Sequence, residues 1–233
     1  GSTQTISVPI VNNLISEPLT EQFTVDLSNI VCTGSSSFDD DQGVCTITDE
    51  DPVTQINLTG FTEDELDVDH AYNFVATMDK VAQEQVILSF TTTEGSALNG
   101  SDLTAQSAVK YIIQPGEDHV DIPVTVLADN TCEPQESFTG QITLVEANGQ
   151  IVSIGTNTAT GTINDDDAAV LSSTGFDVDE DAGTANFTVE LTNPVQDEIT
   201  VTFQTVDNSA INGVGEDYTE ILPFTMYFGD AHD

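Results

Sequence analysis

An acidic run directly after an apolar strand occurs twice in this chain and limits the folds that the chain can adopt. Residues 162–167 read Thr-Ile-Asn-Asp-Asp-Asp, and residues 46–51, which lie 116 positions earlier, read Thr-Ile-Thr-Asp-Glu-Asp. Two like charges about 4 Å apart repel by roughly 4 kcal/mol at an effective dielectric of 20. Three carboxylates at a strand end are therefore either spread into solvent or gathered around a cation. Their recurrence at a domain-sized spacing predicts a tandem repeat.

The charge balance narrows the class of partner. The 233 residues include 41 acidic and 2 basic side chains, a formal charge of −39. Nucleic acid and anionic membrane are poor partners for such a chain. A hydrophobic content of 38% argues against disorder, so a halophilic surface and a binder of multivalent cations remain as interpretations. No apolar run reaches about 18 residues, and we expect no membrane span in this fragment.

Alternation with a period of two dominates the pattern of apolar residues. Ile6, Val8 and Ile10 alternate in this way, and no stretch sustains a 3.6-residue stripe, so the chain is predicted to be all-β. Between Pro52 and Asp167 the expected strands are 54–59, 71–78, 85–92, 108–114, 119–127, 137–145 and 156–163. Seven strands separated by turn signals predict a β-sandwich.

Internal similarity divides the chain into three units. Val86–Phe90 corresponds to Ile199–Phe203, and Ile6–Asn13 corresponds to Ile122–Asp129. We therefore predict a complete domain over 52–167, the C-terminal half of a like domain over 1–51, and the N-terminal half of another over 168–233. Repeats of this length are tandem domains rather than solenoid turns.

The acidic residues of the complete unit fall in loops that a sandwich can gather at one end. They are Glu65, Asp102, Asp129, Glu133, Glu136, Asp165, Asp166 and Asp167. Ca²⁺ takes six to eight oxygen ligands in flexible geometry and suits such a set. Zinc would require His or Cys ligands, and the three His residues are scattered along the chain.

These motifs together resemble the Calx-beta domain family of Na⁺/Ca²⁺ exchangers, integrin β4 and extracellular adhesion proteins. The matching pieces are Glu133-Pro-Gln-Glu136-Ser-Phe138, Gly161-Thr-Ile-Asn-Asp165-Asp-Asp167, Ala97-Leu-Asn-Gly-Ser-Asp102, Pro115-Gly-Glu117 and Phe176-Asp-Val-Asp-Glu180. The resemblance implies seven-stranded Greek-key, immunoglobulin-like sandwiches, one complete and two partial. It also implies a Ca²⁺ cluster where the chain passes to the next domain, with the eight acids above as ligands. The backbone carbonyl of Asn130 is a further expected ligand.

The partial units carry weaker versions of this site. In the first unit the expected ligands are Glu17, Asp49, Glu50 and Asp51, although Glu17 and Glu21 stand four positions apart where the complete unit has three. In the third unit Glu180 and Asp217 are expected. The complete unit also departs from the family, because Ala128-Asp129 stands where two Asp residues are common.

Other signals bear on the compartment. Glycosylation sequons begin at Asn57, Asn99 and Asn186, and Cys32 and Cys45 flank an acidic turn that a disulfide could close. Cys132 is then left over, either as a free thiol or for an intermolecular bridge. Tandem acidic repeats with sequons also resemble the core protein of sponge proteoglycan aggregation factors. This implies a secreted or cell-surface proteoglycan or glycoprotein that supports calcium-dependent cell–cell adhesion.

Three alternatives compete with an extracellular adhesion module. An intracellular Ca²⁺-sensing regulatory module of the exchanger type has the same acids, and an acidic structural spacer would bind no calcium. A glycoside hydrolase would need paired acids across an aromatic cleft, but Trp is absent and no GxSxG or HExxH motif occurs. We therefore expect no enzyme. The expected partners are calcium and neighbouring repeats or like molecules, and carbohydrate or cell-surface proteins remain open.

Overall fold

The computed structural model describes residues 2–13, 17–50 and 53–229. Within these ranges the regular structure is β-strand apart from one 3₁₀ turn, Glu180–Ala182, which confirms the all-β prediction. The strands are β1 Thr20–Asp26, β2 Gln42–Thr48, β3 Thr54–Thr59, β4 Phe61–Asp64, β5 His70–Met78, β6 Val86–Thr93, β7 Val109–Ile113, β8 His119–Val126, β9 Glu136–Glu146, β10 Val152–Thr156, β11 Thr158–Asn164, β12 Leu171–Ser173, β13 Val189–Leu191, β14 Ile199–Phe203 and β15 Phe224–Phe228.

Strands β3 to β11 form a two-sheet sandwich. One sheet has the order β10-β3-β5-β8 and the other has the order β4-β11-β9-β6-β7. There are nine strands here rather than the expected seven, because β4 follows the first expected strand and β10 precedes the last, each in the opposite sheet from its neighbour in the chain. The first change of sheet is at Gly60, where a Cβ atom would lie 1.9 Å from the backbone oxygen of Thr160. A side chain at that position would push the crossing strands apart.

The core between the two sheets is built around aromatic rings. Phe74 of one sheet lies with its ring centroid 5.2 Å from Phe90 and 5.7 Å from Phe138 of the other, and all three are buried. Fully burying such a side chain stabilises the fold by roughly 1.5–3 kcal/mol. Gly140 faces this cluster, since a Cβ there would lie 2.7 Å from the Phe90 ring. The alternation read from the sequence therefore places the core correctly.

The first unit forms a hairpin without a sandwich around it. Strands β1 and β2 pair in antiparallel register. The strand expected over residues 5–11 is not formed, and Ile6 and Ile10 are 66% and 54% exposed. In the complete unit the corresponding segment pairs as β8 with β5. The described residues of the first unit contain no counterpart of β5, which explains the missing strand.

The disulfide predicted between Cys32 and Cys45 is not formed, and both residues are free and exposed. Cys45 lies within β2 opposite Phe23. Cys32 lies beyond the end of β1, where its thiol donates to the backbone oxygen of Gly34 at 2.8 Å. The segments that contain Cys32 and Cys45 are connected by the pairing of β1 with β2, and Cys32 lies outside that pairing.

The third unit forms two separate strand pairs, β12 with β13 and β14 with β15. Four rings form a continuous row, with successive centroid distances of 5.0, 6.0 and 5.7 Å, along Phe176, Phe187, Phe203 and Phe224. The last three correspond in the repeat to Phe74, Phe90 and Val109, since Phe203 pairs with Phe224 as Phe90 pairs with Val109. In the complete unit Phe74 and Phe90 are buried between the two sheets, whereas Phe176, Phe187 and Phe224 are exposed.

The units follow one another end to end. A backbone bridge joins Pro18 of the first unit to Gln150 of the complete unit, and another joins Cys132 to Val195 of the third. No helix among the described residues is both long and apolar enough to cross a membrane.

Candidate metal centre

The sandwich brings loops from both sheets to the end where the chain leaves for the third unit. Strands β4, β6, β8 and β11 all run toward this end, and β9 starts from it. Glu65 follows β4, Asp102 lies in the β6–β7 loop, and Asp129 follows β8. Glu136 opens β9 and Asp165 follows β11. The predicted gathering of acidic loops at one end is therefore seen in the strand topology.

Three carboxylates form a compact inner group. Asp102, Glu133 and Glu136 each offer one oxygen, and these oxygens lie within 4.8 Å of one another. Asp102 and Glu136 are only 6% and 5% exposed. The Oε2 atom of Glu136 is buried and finds no hydrogen-bond donor among the described residues. A buried carboxylate without compensation costs several kcal/mol, so this group favours binding a cation or a proton.

Asp102 is oriented by its own turn. Its Oδ2 atom accepts the backbone N–H of Leu98 at 2.5 Å, and its carbonyl accepts the N–H of Leu127 at 3.0 Å. The third unit repeats the turn, since Asp217 Oδ2 accepts the N–H of Ile211 at 2.9 Å. The Ala-x-Asn-Gly motif thus has a local function, which is to hold the following aspartate by a backbone N–H.

An outer set of acids fixes the β8–β9 loop over the inner group. Glu65, which is buried, accepts the backbone N–H of Asp129 through Oε1 at 2.8 Å. Asp165 Oδ2 accepts the N–H of Glu133 at 3.1 Å, and its Oδ1 accepts the N–H of Asp167 at 3.2 Å. Asn130 stands next to Asp129 in the exposed part of this loop.

Desolvation and mutual repulsion make these carboxyls hard to ionise. Burial, and then the neighbouring negative charges, raise the pKa of Glu133 to about 7. Burial likewise raises the pKa of Glu65 and of Glu136 to about 7, although hydrogen bonds to the charged forms oppose the shift. The pKa of Asp167 is also raised, by desolvation and then by Asp165 and Asp166. A cation in this site would remove the repulsion that causes part of these shifts.

The donor set fits a hard divalent cation. The inner group contains carboxylate oxygens only, with no His or Cys, and such ligands suit Ca²⁺. Cys132 lies in the same loop but is engaged through its backbone, whose N–H donates to the Pro194 oxygen at 2.9 Å. The residues present therefore match calcium better than zinc.

Several predicted ligands are not brought together. In the first unit Glu17 accepts from Asn13 at 2.8 Å, and Glu50 is exposed beyond β2 with Asp49 beside it. Asp51 lies outside the described residues. Within the described ranges the compact group consists of Asp102, Glu133 and Glu136, and the assignments of Glu17, Asp49, Glu50, Glu180 and Asp217 stay predictions.

The sequons are on the surface where the structure describes them. Asn57 is exposed on β3, and its side-chain oxygen accepts the N–H of Thr156 at 2.9 Å. Asn99 accepts the N–H of Ala105 at 2.8 Å, and Asn186 is exposed in a loop.

Sequence reasoning missed one residue of the site, Gln196 of the third unit. Its side-chain amide donates to Glu136 Oε1 at 3.1 Å and to Glu133 Oε1 at 3.3 Å. A neutral glutamine in a turn carries no acidic signal. The available clue was its recurrence, because Gln83 occupies the same place in the repeat, three positions before the strand that begins at Val86.

Comparison with known proteins identifies this architecture. The family model described as the Calx-beta domain matches residues 52–167 and 168–232. A solved apo-form Calx CBD1 domain is 19% identical, with a TM-score of 0.42 over 50% of this chain and 100% of that one. A CBD12 structure from CALX1.2 is 18% identical, with a TM-score of 0.43 over 76% of this chain and 71% of that one. Among curated proteins none matches this chain.

Proposed function

Because the chain belongs to the Calx-beta domain family, we propose that it is a Ca²⁺-binding tandem-repeat module with its principal site at the end of residues 52–167. The observation that carries the proposal is the buried Glu136 Oε2, which lies beside Asp102 and Glu133 and has no hydrogen-bond partner in the part of the chain that the structure describes. Calx-beta domains are binding or regulatory modules, which supports a function without catalysis.

The proposed ligands form an inner group and a surrounding group. Asp102, Glu133 and Glu136 supply the inner oxygens, because they converge within 4.8 Å. Glu65, Asp129, Asp165, Asp166, Asp167 and the carbonyl of Asn130 surround them. The calcium would supply the positive charge that this cluster lacks. The chain itself excludes water from Asp102 and Glu136 and holds the loops in place by backbone hydrogen bonds.

We infer further that occupancy stiffens the array for calcium-dependent adhesion outside the cell. The site lies at a junction between units, where the backbone of Cys132 bonds to Pro194. The exposure of all three sequons is compatible with glycosylation and secretion. The candidate partners are like domains, carbohydrate and other cell-surface proteins.

One observation favours a second candidate, an intracellular Ca²⁺-sensing regulatory module of the exchanger type. Cys32, Cys45 and Cys132 are all free thiols, which fits a reducing compartment better than an oxidising one. Mass spectrometry of the protein from its native source decides between the two. Glycans on Asn57, Asn99 or Asn186 support the extracellular assignment, whereas unmodified asparagines with free thiols support the intracellular one.

Titration calorimetry with Ca²⁺ tests the site on the full chain. Glu136→Gln removes a charge from the first residue of β9, and the matched control Glu146→Gln removes one from the last residue of the same strand. We expect Glu136→Gln to weaken binding by about tenfold or more, equivalent to about 1.4 kcal/mol or more. The control should bind like the wild type. Equal affinities in both variants would contradict the assignment.

A further inference from the structure

The third unit reaches into the cation site of the unit before it. The amide of Gln196 donates to both Glu133 and Glu136, the two glutamates of the inner group. The backbone around it is docked, since the N–H of Gln196 donates to the Cys132 oxygen at 3.1 Å and the N–H of Cys132 donates to Pro194. Val195 is buried at the contact. The glutamine is therefore held over the carboxylates by the junction itself.

The preceding junction has a glutamine at the same position in the repeat. Gln83 of the complete unit corresponds to Gln196, and both follow a buried apolar residue, Ala82 or Val195. Gln83 lines a cavity of about 580 Å³ together with Glu21 and Pro18 of the first unit. A glutamine thus lies at both junctions, and at the preceding one it lines the same cavity as Glu21 of the unit before it.

We propose that Gln196 is a ligand that the third unit contributes to the cation site of the preceding unit, with its amide nitrogen on Glu133 and Glu136 without the cation and its amide oxygen toward the cation when it is bound. This inference rests on the proposed function. It is supported by the buried Oε2 of Glu136 in the same group, which finds no hydrogen-bond donor among the described residues.

A glutamine is suited to both states because one planar amide carries a donor end and an acceptor end of nearly equal size. Rotation about its last side-chain bond exchanges the two ends without moving the backbone. The docked contacts of Cys132 with Pro194 and Gln196 can therefore persist in both states. A lysine could neutralise the empty site but could not ligate, and a glutamate could ligate but would add repulsion to the empty site.

Two substitutions in the full chain separate the contribution of the amide donor from that of the amide acceptor. Gln196→Met keeps the approximate shape but removes both the donor and the acceptor, and Gln196→Glu keeps oxygen ligands but removes the donor. Gln204→Met, at an exposed position of the same unit, is the matched control. The readouts are the Ca²⁺ dissociation constant from calorimetry and the hydrogen-exchange rate of the Cys132 amide in chelator, which reports docking of the junction.

The proposal predicts that the two Gln196 variants differ from the wild type in different ways in the two measurements. In chelator, both Gln196 variants should exchange the Cys132 amide faster than the wild type, with Gln196→Glu the fastest. With Ca²⁺, Gln196→Met should bind about tenfold more weakly, whereas Gln196→Glu should bind at least as tightly as the wild type.

Wild-type calcium affinity in both variants would overturn the role of Gln196 and leave the proposed function standing. Equal weakening in both variants would also overturn it, because a purely structural contact predicts no advantage for an oxygen ligand. Absence of saturable Ca²⁺ binding in the wild type would overturn the proposed function and this inference together.

Discussion

The backbone N–H of Asp129 donates to Glu65 Oε1 at 2.8 Å, and this bond ties the end of β8 in one sheet to the end of β4 in the other. Glu65 is buried, so a carboxylate without a cation serves as the acceptor between two loops. The hydrogen bond lowers the pKa of Glu65, but desolvation outweighs it and the pKa rises to about 7. The same carboxylates therefore hold the two loops together by hydrogen bonds and repel one another by their charges.

The first prediction concerns the pH dependence of stability in chelator. The pKa values of Glu65, Glu133 and Glu136 rise from 4.5 to about 7 on folding, so the folded state binds more protons than the unfolded state. Their contribution to stability is therefore fully present below pH 4.5 and is lost as the pH rises through 7. Thermal melts between pH 4.5 and 8 should show this decline.

A matched pair of variants distinguishes the decline caused by the site from the general repulsion within a chain of net charge −39. Glu136→Gln should flatten the decline, whereas Glu146→Gln at the other end of β9 should leave it unchanged. Identical slopes in the two variants would show that the decline does not arise at the site.

The second prediction concerns the acidic run after β11. Added Ca²⁺ should raise the melting temperature, because a ligand bound only by the folded state stabilises it. Asp166→Asn combined with Asp167→Asn should remove most of this shift. The control is Asp39→Asn with Asp41→Asn, an equal charge change in an exposed turn, which should keep the shift. A full shift in the Asp166 and Asp167 variant would exclude these residues from the site.

The third prediction concerns the shape of the array. The run Asp165–Asp167 leads directly into the third unit, so unneutralised charges at this junction repel one another. Small-angle scattering should give a larger maximum dimension and a narrower distribution with Ca²⁺ than with chelator. Equal curves under both conditions would contradict stiffening by the cation.

The fourth prediction concerns the strand crossing at Gly60. Gly60→Ala places a methyl group 1.9 Å from the Thr160 backbone oxygen, and forcing atoms into a packed site typically costs about 1–3 kcal/mol. Gly175→Ala meets nothing within 4 Å and serves as the control. Urea unfolding should show a lower midpoint for Gly60→Ala only. A wild-type midpoint would mean that the crossing is not close-packed.

The fifth prediction concerns the two partial units. The third unit exposes Phe176, Phe187 and Phe224, and the first unit exposes Ile6 and Ile10. These segments correspond to complementary halves of one sandwich, so the head of one molecule should cover the tail of another in a head-to-tail contact. Sedimentation velocity should show association that increases with protein concentration. A monomer at all concentrations, with both halves protected from hydrogen exchange, would contradict this.

The strand content, the tandem repeat and the composition of the core can all be predicted from the amino-acid pattern. Alternation placed Phe74, Phe90 and Phe138 inward because side chains on a strand point to opposite faces in turn. The recurring acidic strand ends identified the loops that converge. Both signals can be recognised in a single sequence because one is local and the other is periodic. The domain boundaries at residues 51/52 and 167/168 stay predictions from that periodicity.

Which acids form the inner group, and which other residue contacts it, depends on contacts between segments that are distant in the chain. Asp102 lies 34 positions before Glu136 in the chain, and their convergence depends on how β6 and β9 pair across the sheet. The break at Gly60, the missing strand at residues 5–11 and the unformed Cys32–Cys45 bond all depend on which neighbours are present. Gln196 is the clearest case, because its position over Glu136 depends on the docking of one unit against the next. A local pattern contains no information about that contact.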